Sequence, residues 1–118
     1  EEQKESLDYF YFPKYIPEGF KVADELSTQY SYYINLKNGE KYFCISQEIM
    51  NEKSEVCLDT EGSKIQEIDI DGKKGIYIEK EDIKIIHLNT EGYAIDIYGN
   101  IGKKYLFRIA ENLELLAR

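Results

Sequence analysis

His87 is the residue best suited to acid–base chemistry, because it is the one histidine in the sequence and an imidazole titrates near neutral pH. A loop of about four residues after Leu88 would place it across from Ala94 and diagonal to Asp96. A His–Asp pair can act in general acid–base catalysis. No recognisable nucleophile motif accompanies this pair, and the apolar strand around His87 favours a packed histidine with a single hydrogen bond.

The sequence gives little support for a metal or cofactor site. The single histidine and the two cysteines, Cys44 and Cys57, do not supply the usual zinc ligand sets. Asp69–Gly72 resembles the start of a calcium loop, but Lys73 and Lys80 stand where that loop needs oxygen ligands. Phosphate-binding glycine loops and GxSxG motifs are absent from the sequence. We therefore predict no catalytic residue, no metal and no cofactor, and we do not expect an enzyme.

Cys44 and Cys57 are the candidate disulfide, since two cysteines allow one bridge at most. Their oxidation would require an oxidising compartment. Nothing in the sequence brings the two Cα atoms within bonding range, so the spacing leaves the bridge open.

The run YFYFPKY near the N-terminus is rich in aromatic side chains. Tyr9, Tyr11, Phe12 and Tyr15 could form an aromatic contact surface for a ligand or partner. The alternative is an extended segment that packs on the domain, and we favour it because the core of a small domain needs large apolar side chains.

Composition and charge exclude several classes of function. The chain has 118 residues, enough for one domain, and a net charge of −8 from 23 acidic and 15 basic residues. This charge argues against binding to nucleic acid and to anionic lipid. We favour a role for it in solubility over an acidic functional surface. Eleven tyrosines, five phenylalanines and no tryptophan are typical of a β-rich domain.

The first half of the chain predicts a hairpin. Phe20–Leu26 and Tyr30–Lys37 have the composition of strands, and Asn38-Gly39 is a strong signal for a type I′ turn. A two-residue loop at Asn38-Gly39 would pair Ile34 with Phe43.

A second hairpin is predicted around Asp71-Gly72. The simple register faces Ile68 with Gly75, which mismatches the two faces, so we expect a longer loop or a bulge near Gly75. Val56–Asp59 is a candidate short strand. Ile83–Leu88 is apolar on both faces, as in a central strand.

The C-terminal part predicts a strand and then a helix. Gly102 is the expected N-cap, and Lys103 and Lys104 in the first turn would contact an anion or, as we favour, the solvent. The helix carries an apolar stripe with a 3.6-residue period, formed by Leu106, Ile109, Ala110, Leu113 and Leu116. We predict an α+β fold, in which an antiparallel meander of about five to seven strands packs against one C-terminal helix.

The expected organisation is an N-terminal extension at residues 1–12 and a single domain at residues 13–118. The chain begins at Glu1 rather than Met, so we expect a processed form or an excised piece of a longer protein. No stretch is long and apolar enough for a transmembrane helix. Membrane association would then depend on a missing N-terminal anchor.

Several runs resemble a bacterial family of domains of unknown function, number 4367. Tyr15–Phe20 resembles its "YIPEGF" opening, and Ile68–Ile78 is similar to its "V-x-I-N-G-x-x-G-Y-Y-I" hairpin. Gly92–Gly99 resembles its "GY-x-Y-x-I-x-G" strand, and Ile109–Leu113 its "K-I-A-E-S-L" helix. The matches come in order and cover about residues 13 to 114. His87 stands where the family often has Trp, and Gly102 where it often has a Ser cap.

This resemblance implies the extracytoplasmic C-terminal part of a membrane-anchored protein of a Gram-positive bacterium, some relatives carrying an anti-sigma-factor-like N-terminal half. Our leading hypothesis is a non-enzymatic extracytoplasmic sensor or interaction domain with a protein or small-ligand partner. The alternative is a secreted, lipoprotein-type carrier that holds a small apolar ligand between sheet and helix.

Overall fold

The computed structural model describes residues 6–49, 64–90 and 92–117. These residues form nine strands and one helix. In chain order they are β1 Tyr9–Pro13, β2 Lys21–Ser27, β3 Ser31–Asn38, β4 Lys41–Ile49, β5 Lys64–Ile70, β6 Lys73–Lys80, β7 Ile83–Thr90, β8 Tyr93–Gly99, α1 Lys103–Glu111 and β9 Leu113–Ala117.

Seven strands form one sheet, in the order β2-β3-β4-β8-β7-β6-β5, and β1 pairs with β9 in a separate two-stranded sheet. All pairs are antiparallel, so the predicted α+β class is confirmed. Strands that are adjacent in sequence are also neighbours in the sheet, except that β4 pairs with β8 and β5 lies at the far edge. Residues 50–63, including the predicted strand Val56–Asp59, lie outside the described residues.

The β3–β4 hairpin exists, but its register differs from the predicted one by two residues. Ile34 pairs with Ile45 rather than Phe43, because the two loop residues are Gly39 and Glu40. Gly39 has φ +63° and occupies the first central position, as glycine does in a type II′ turn. The error leaves the faces unchanged, since side chains alternate with a period of two.

The β5–β6 hairpin keeps the simple register, so the predicted bulge near Gly75 is wrong. Ile68 does face Gly75, across a turn in which Asp71 and Gly72 have φ of 53° and 83°. The mismatch of faces costs little because β5 is a mostly exposed edge strand. Gly75 has its own role, since a Cβ there would lie 1.8 Å from the carbonyl oxygen of His87.

The core lies on one face of the seven-stranded sheet, which we name the first face. It is marked by the cross-strand row of Ile34, Ile45, Ile97 and Ile86, all at most 1% exposed. Helix α1 lies on this face against β7 and β8, and it buries the predicted side chains Leu106, Ile109 and Ala110.

The helix is shorter than predicted, because it ends at Glu111 with Asn112 as C-cap. Leu113 and Leu116, which we assigned to the helical stripe, belong to β9. They pair with Pro13 and Phe10 of β1. The sequence L-E-L-L-A fits a strand as well as a helix, and backbone pairing with β1 decides between the two.

Strand β1 is held on the first face by a buried glutamine. Gln47 is 2% exposed, accepts a hydrogen bond from the Tyr11 N–H and donates one to the Tyr11 carbonyl, each at 2.7 Å. Leu7 is also buried in this core. The division into an extension at residues 1–12 and a domain from residue 13 stays a prediction, and within the described residues 6–12, Leu7, Phe10, Tyr11 and Phe12 pack in or against the common core.

Candidate functional site

The opposite surface of the sheet, the second face, carries the titratable side chains of interest. It is marked by the adjacent cross-strand row of Tyr33, Ser46, Asp96 and His87. Successive side chains of a strand point to opposite faces. His87 therefore points to the second face, whereas its neighbours Ile86 and Leu88 point into the core. The β7–β8 loop is two residues shorter than predicted, which puts Asp96 rather than Ala94 directly opposite His87.

His87 and Asp96 form a close pair. The His87 Nδ1 atom lies 2.6 Å from Asp96 Oδ1, and the two side chains are 6% and 27% exposed. The hydrogen bond to Asp96 raises the pKa of His87 above its ordinary value of 6.5, although burial acts in the opposite direction. Asn89 adds a side-chain hydrogen bond in the same upward direction. The hydrogen bonds to Asp96 and Asn89 therefore stabilise the protonated imidazole relative to the neutral one.

A surface cleft of about 710 Å³ opens beside this histidine, which is within the usual size range of ligand pockets. Its rim mixes both signs of charge with apolar surface. We name it the His87 cleft, after a lining that includes Glu67, Asp69, Lys74, Ile76, His87 and Asn89.

The order of side chains across the sheet limits the chemistry of this site. A serine nucleophile is activated when the histidine lies between it and the carboxylate. Here Asp96 lies between Ser46 and His87 in the register. The partners of His87 in the described part of the chain are the carboxylate of Asp96 and the amide of Asn89. This geometry can hold a proton and present charge, but it does not activate Ser46.

Cys44 lies next to this row, between two tyrosines. Its Sγ is 3.4 Å from the hydroxyl of Tyr33, and this contact raises the pKa of Tyr33. Burial, with the nearby thiol, raises the pKa of Tyr98 to about 12. The predicted partner of Cys44, Cys57, lies outside the described residues, so the bridge stays a prediction.

The four aromatic residues of the predicted contact surface do not share one surface. Tyr9 is 48% exposed, whereas Tyr11, Phe12 and Tyr15 are half-buried against the core. Lys73 Nζ lies 5.2 Å from the centre of the Tyr11 ring, and Arg108 Cζ lies 4.3 Å from that of Tyr15. Packing thus accounts for most of this run, and its role as a contact surface stays a prediction.

Tyr15 contributes instead to a second cleft, at the start of α1. This cleft has a volume of about 550 Å³. We name it the aromatic cleft, after a lining that includes Tyr15, Pro17, Phe20, Lys41, Ile101 and Tyr105.

Two contacts outside these clefts were not predicted from the sequence. The contact between Gln47 and Tyr11 joins positions 36 residues apart, and no local sequence pattern indicates it. Lys103 was expected in solvent or on an anion, yet its Nζ lies 4.8 Å and 5.7 Å from the ring centres of Tyr77 and Phe107. The i, i+4 spacing of Lys103 and Phe107 could have indicated the second of these contacts.

Within residues 6–49, 64–90 and 92–117, no three His, Cys, Asp or Glu side chains are grouped as metal ligands would be. Over the same ranges no helix has the length and apolar character needed to cross a membrane.

The family model for a domain of unknown function, DUF4367, matches residues 11–113. The chain belongs to this family. No curated protein matches this DUF4367 domain. A crystal structure from Bacteroides thetaiotaomicron VPI-5482, at 1.50 Å resolution, is similar to it with 15% sequence identity and a TM-score of 0.47. That similarity covers 94% of our chain and 48% of the solved chain, so our chain spans about half the length of that structure.

Proposed function

We propose that this DUF4367 domain is a non-enzymatic, extracytoplasmic sensor or interaction domain of a membrane-anchored bacterial protein. The observation that carries the proposal is the His87 cleft, an open depression on the second face whose lining combines charged and polar side chains with the apolar side chain of Ile76. In ligand pockets a few polar groups on an apolar lining fix the orientation of the bound molecule, and we assign this cleft the same role towards its partner.

The surroundings of His87, rather than its bond to Asp96, support binding over catalysis. Asp96 engages the Nδ1 atom at 2.6 Å, which leaves Nε2 as the nitrogen that could act as a general base, and such a base must reach the proton that it removes. The nearby hydroxyl of Ser46 lies beyond Asp96 in the register. The side chains around the cleft therefore act as recognition groups for charge and hydrogen bonds.

The packing of the core disfavours the carrier that holds a ligand between sheet and helix. Leu106 and Ile109 of α1 are 0% exposed, as are Ile95 and Ile97 beneath the helix. Side chains thus fill the region in which an apolar ligand would lie. The aromatic cleft is the feature that keeps a carrier as the second candidate function, with the ligand at the start of α1.

Photocrosslinking in living cells tests the proposal. The full-length protein would carry benzoylphenylalanine at Lys74 in the His87 cleft, at Tyr105 in the aromatic cleft, or at the exposed control position Lys37. We expect a discrete crosslinked species from Lys74 and none from Lys37. Equal yields at the two positions, or none at either, would contradict an interaction site in this cleft.

Two further measurements separate the alternatives. Native mass spectrometry of the purified protein should show no bound small molecule, whereas a stoichiometric apolar adduct that is lost in Tyr105→Ala would favour the carrier.

Protease added to intact cells should degrade the domain if it is extracytoplasmic. Protection in intact cells with degradation after lysis would contradict that location.

A further inference from the structure

Strand β1 is held by contacts from distant parts of the chain. Its pairing partner β9 lies at the opposite end of the described sequence, and Gln47 is 36 residues away from Tyr11. At its two ends, the Leu7 N–H donates to the Gln29 carbonyl and the Lys14 N–H donates to the Asn112 carbonyl. A hairpin turn dictates which strand pairs with which, but no such turn joins β1 to β9.

The groove that receives β1 recognises extended backbone. The amide of Gln47 satisfies both the N–H and the carbonyl of Tyr11, and β9 supplies a ladder from Leu113 to Ala117. Without a strand in this groove, the buried amide of Gln47 would lose both partners, which buried polar groups rarely tolerate. The groove therefore requires an occupant, and backbone recognition does not depend on which chain supplies it.

Side-chain contacts favour an occupant with the sequence of β1. The ring of Phe10 lies 4.4 Å from that of Tyr32, and Phe10 also meets Phe12 edge-on at 6.5 Å. A second copy of the chain carries the same side chains at the same alternation and reproduces every one of these contacts.

The link from β1 to β2 is the segment that must cross between copies in this exchange, and its Tyr15 and Ile16 side chains, which pack against the core, would have to give up or re-form these contacts. Pro13 and Pro17 bracket Lys14, Tyr15 and Ile16, and a proline biases the residue before it towards extended geometry. Once the rest of the domain is folded, residues 14–20 tether β1 to its own groove, and the length of this link sets the effective concentration of β1 there. A second copy competes for the groove when its concentration approaches the effective concentration of the chain's own β1.

We propose that β1 exchanges between two copies of this chain, each β1 filling the groove formed by Gln47 and β9 of the other copy. The product is a symmetric dimer in which the contacts of β1 with Gln47, Tyr32 and β9 are the same as in the monomer. The exchange needs no change in the second face, so it is independent of the function proposed for the His87 cleft.

A disulfide between copies tests this proposal, because Tyr9 and Ala117 are register partners in the β1–β9 pair. One full chain would carry Tyr9→Cys and a second, isotopically labelled chain Ala117→Cys. The two would be refolded together at about 1 mM, oxidised and mapped by mass spectrometry. The control pair combines Tyr9→Cys with Glu40→Cys, at an exposed loop position.

We expect the yield of the disulfide between labelled and unlabelled chains to be about tenfold higher for positions 9 and 117 than for the control pair. Equal disulfide yields for the two pairs would overturn the exchange. A single chain with both Tyr9→Cys and Ala117→Cys, oxidised at high dilution, should close internally. Failure of that closure would contradict the β1–β9 register and the exchange together.

Discussion

Two polar side chains are buried in the described part of the chain, and they serve opposite purposes. Gln47 on the first face is 2% exposed and His87 on the second face is 5% exposed. Gln47 is neutral and bonds only backbone groups of β1, so it fixes architecture. His87 is ionisable and bonds the side chain of Asp96 beside an open cleft. The first face thus supplies stability, and the second face supplies groups that respond to protons and charge.

Truncation of the helix core should produce the largest effect on this comparison. Ile109 is fully buried between α1 and the first face, so Ile109→Ala should lower the free energy of unfolding by about 2–5 kcal/mol in urea denaturation. The matched control is its exposed neighbour Arg108, which lies over the Tyr15 ring. Arg108→Ala should cost less than about 1 kcal/mol. A larger loss for Arg108→Ala than for Ile109→Ala would place the wrong side of α1 against the sheet.

Removal of the glutamine contact should have the next largest effect. Gln47→Ala leaves the Tyr11 N–H and carbonyl without their side-chain partners, which should cost about 1–3 kcal/mol. Ser46→Ala, at the adjacent half-buried position on the second face, should change stability by no more than about 0.5 kcal/mol. The melting temperatures of the two variants test this difference. If Gln47→Ala and Ser46→Ala had the same melting temperature, Gln47 would not be the residue that holds β1.

A smaller effect is expected at the β3–β4 turn. Gly39 has φ +63°, and a side chain in that region costs about 1–2 kcal/mol, so Gly39→Val should lower the melting temperature. Glu40→Val at the other loop position should leave it nearly unchanged. An unaltered melting temperature for Gly39→Val would contradict the turn assignment.

The smallest expected effect is the pH dependence of stability from the second face. The bond to Asp96 raises the pKa of His87 in the folded state, so the stabilisation is complete below the unfolded value of about 6.5. It is lost as pH rises through the higher folded value. We expect the unfolding free energy of the wild type to fall across this range relative to Asp96→Asn. Parallel pH profiles for the two proteins would contradict a contribution of the His87–Asp96 pair to stability.

Turn residues and apolar periodicity made most of the strands and the helix predictable from the sequence. Strand registers and element ends were predicted wrongly where these local patterns fitted more than one structure. Asn38-Gly39 and Asp71-Gly72 located two hairpins, but Gly39 could occupy either central position of a tight turn. The apolar stripe identified α1 through Ala110. Leu113 and Leu116 fitted both periods, and only the pairing with β1, about a hundred residues away, made them a strand.

The candidate site was partly predictable for a related reason. Alternation along β7 and β8 brought His87 and Asp96 to one face, whereas the loop length decided whether they were opposite or diagonal. The His87 cleft also needs residues of β5 and β6, such as Glu67 and Lys74. Their approach depends on Gly75, where a Cβ would collide with the backbone of β7.

The most direct measurement of the second face is an NMR titration of its imidazole. The sequence contains a single histidine, so one pair of ring resonances reports His87 without assignment by mutation. We expect its pKa in the native protein to lie above 6.5 and to fall in Asp96→Asn, which removes the carboxylate. A native pKa at or below 6.5 that does not change in Asp96→Asn would contradict the His87–Asp96 pair as the chemical centre of the second face.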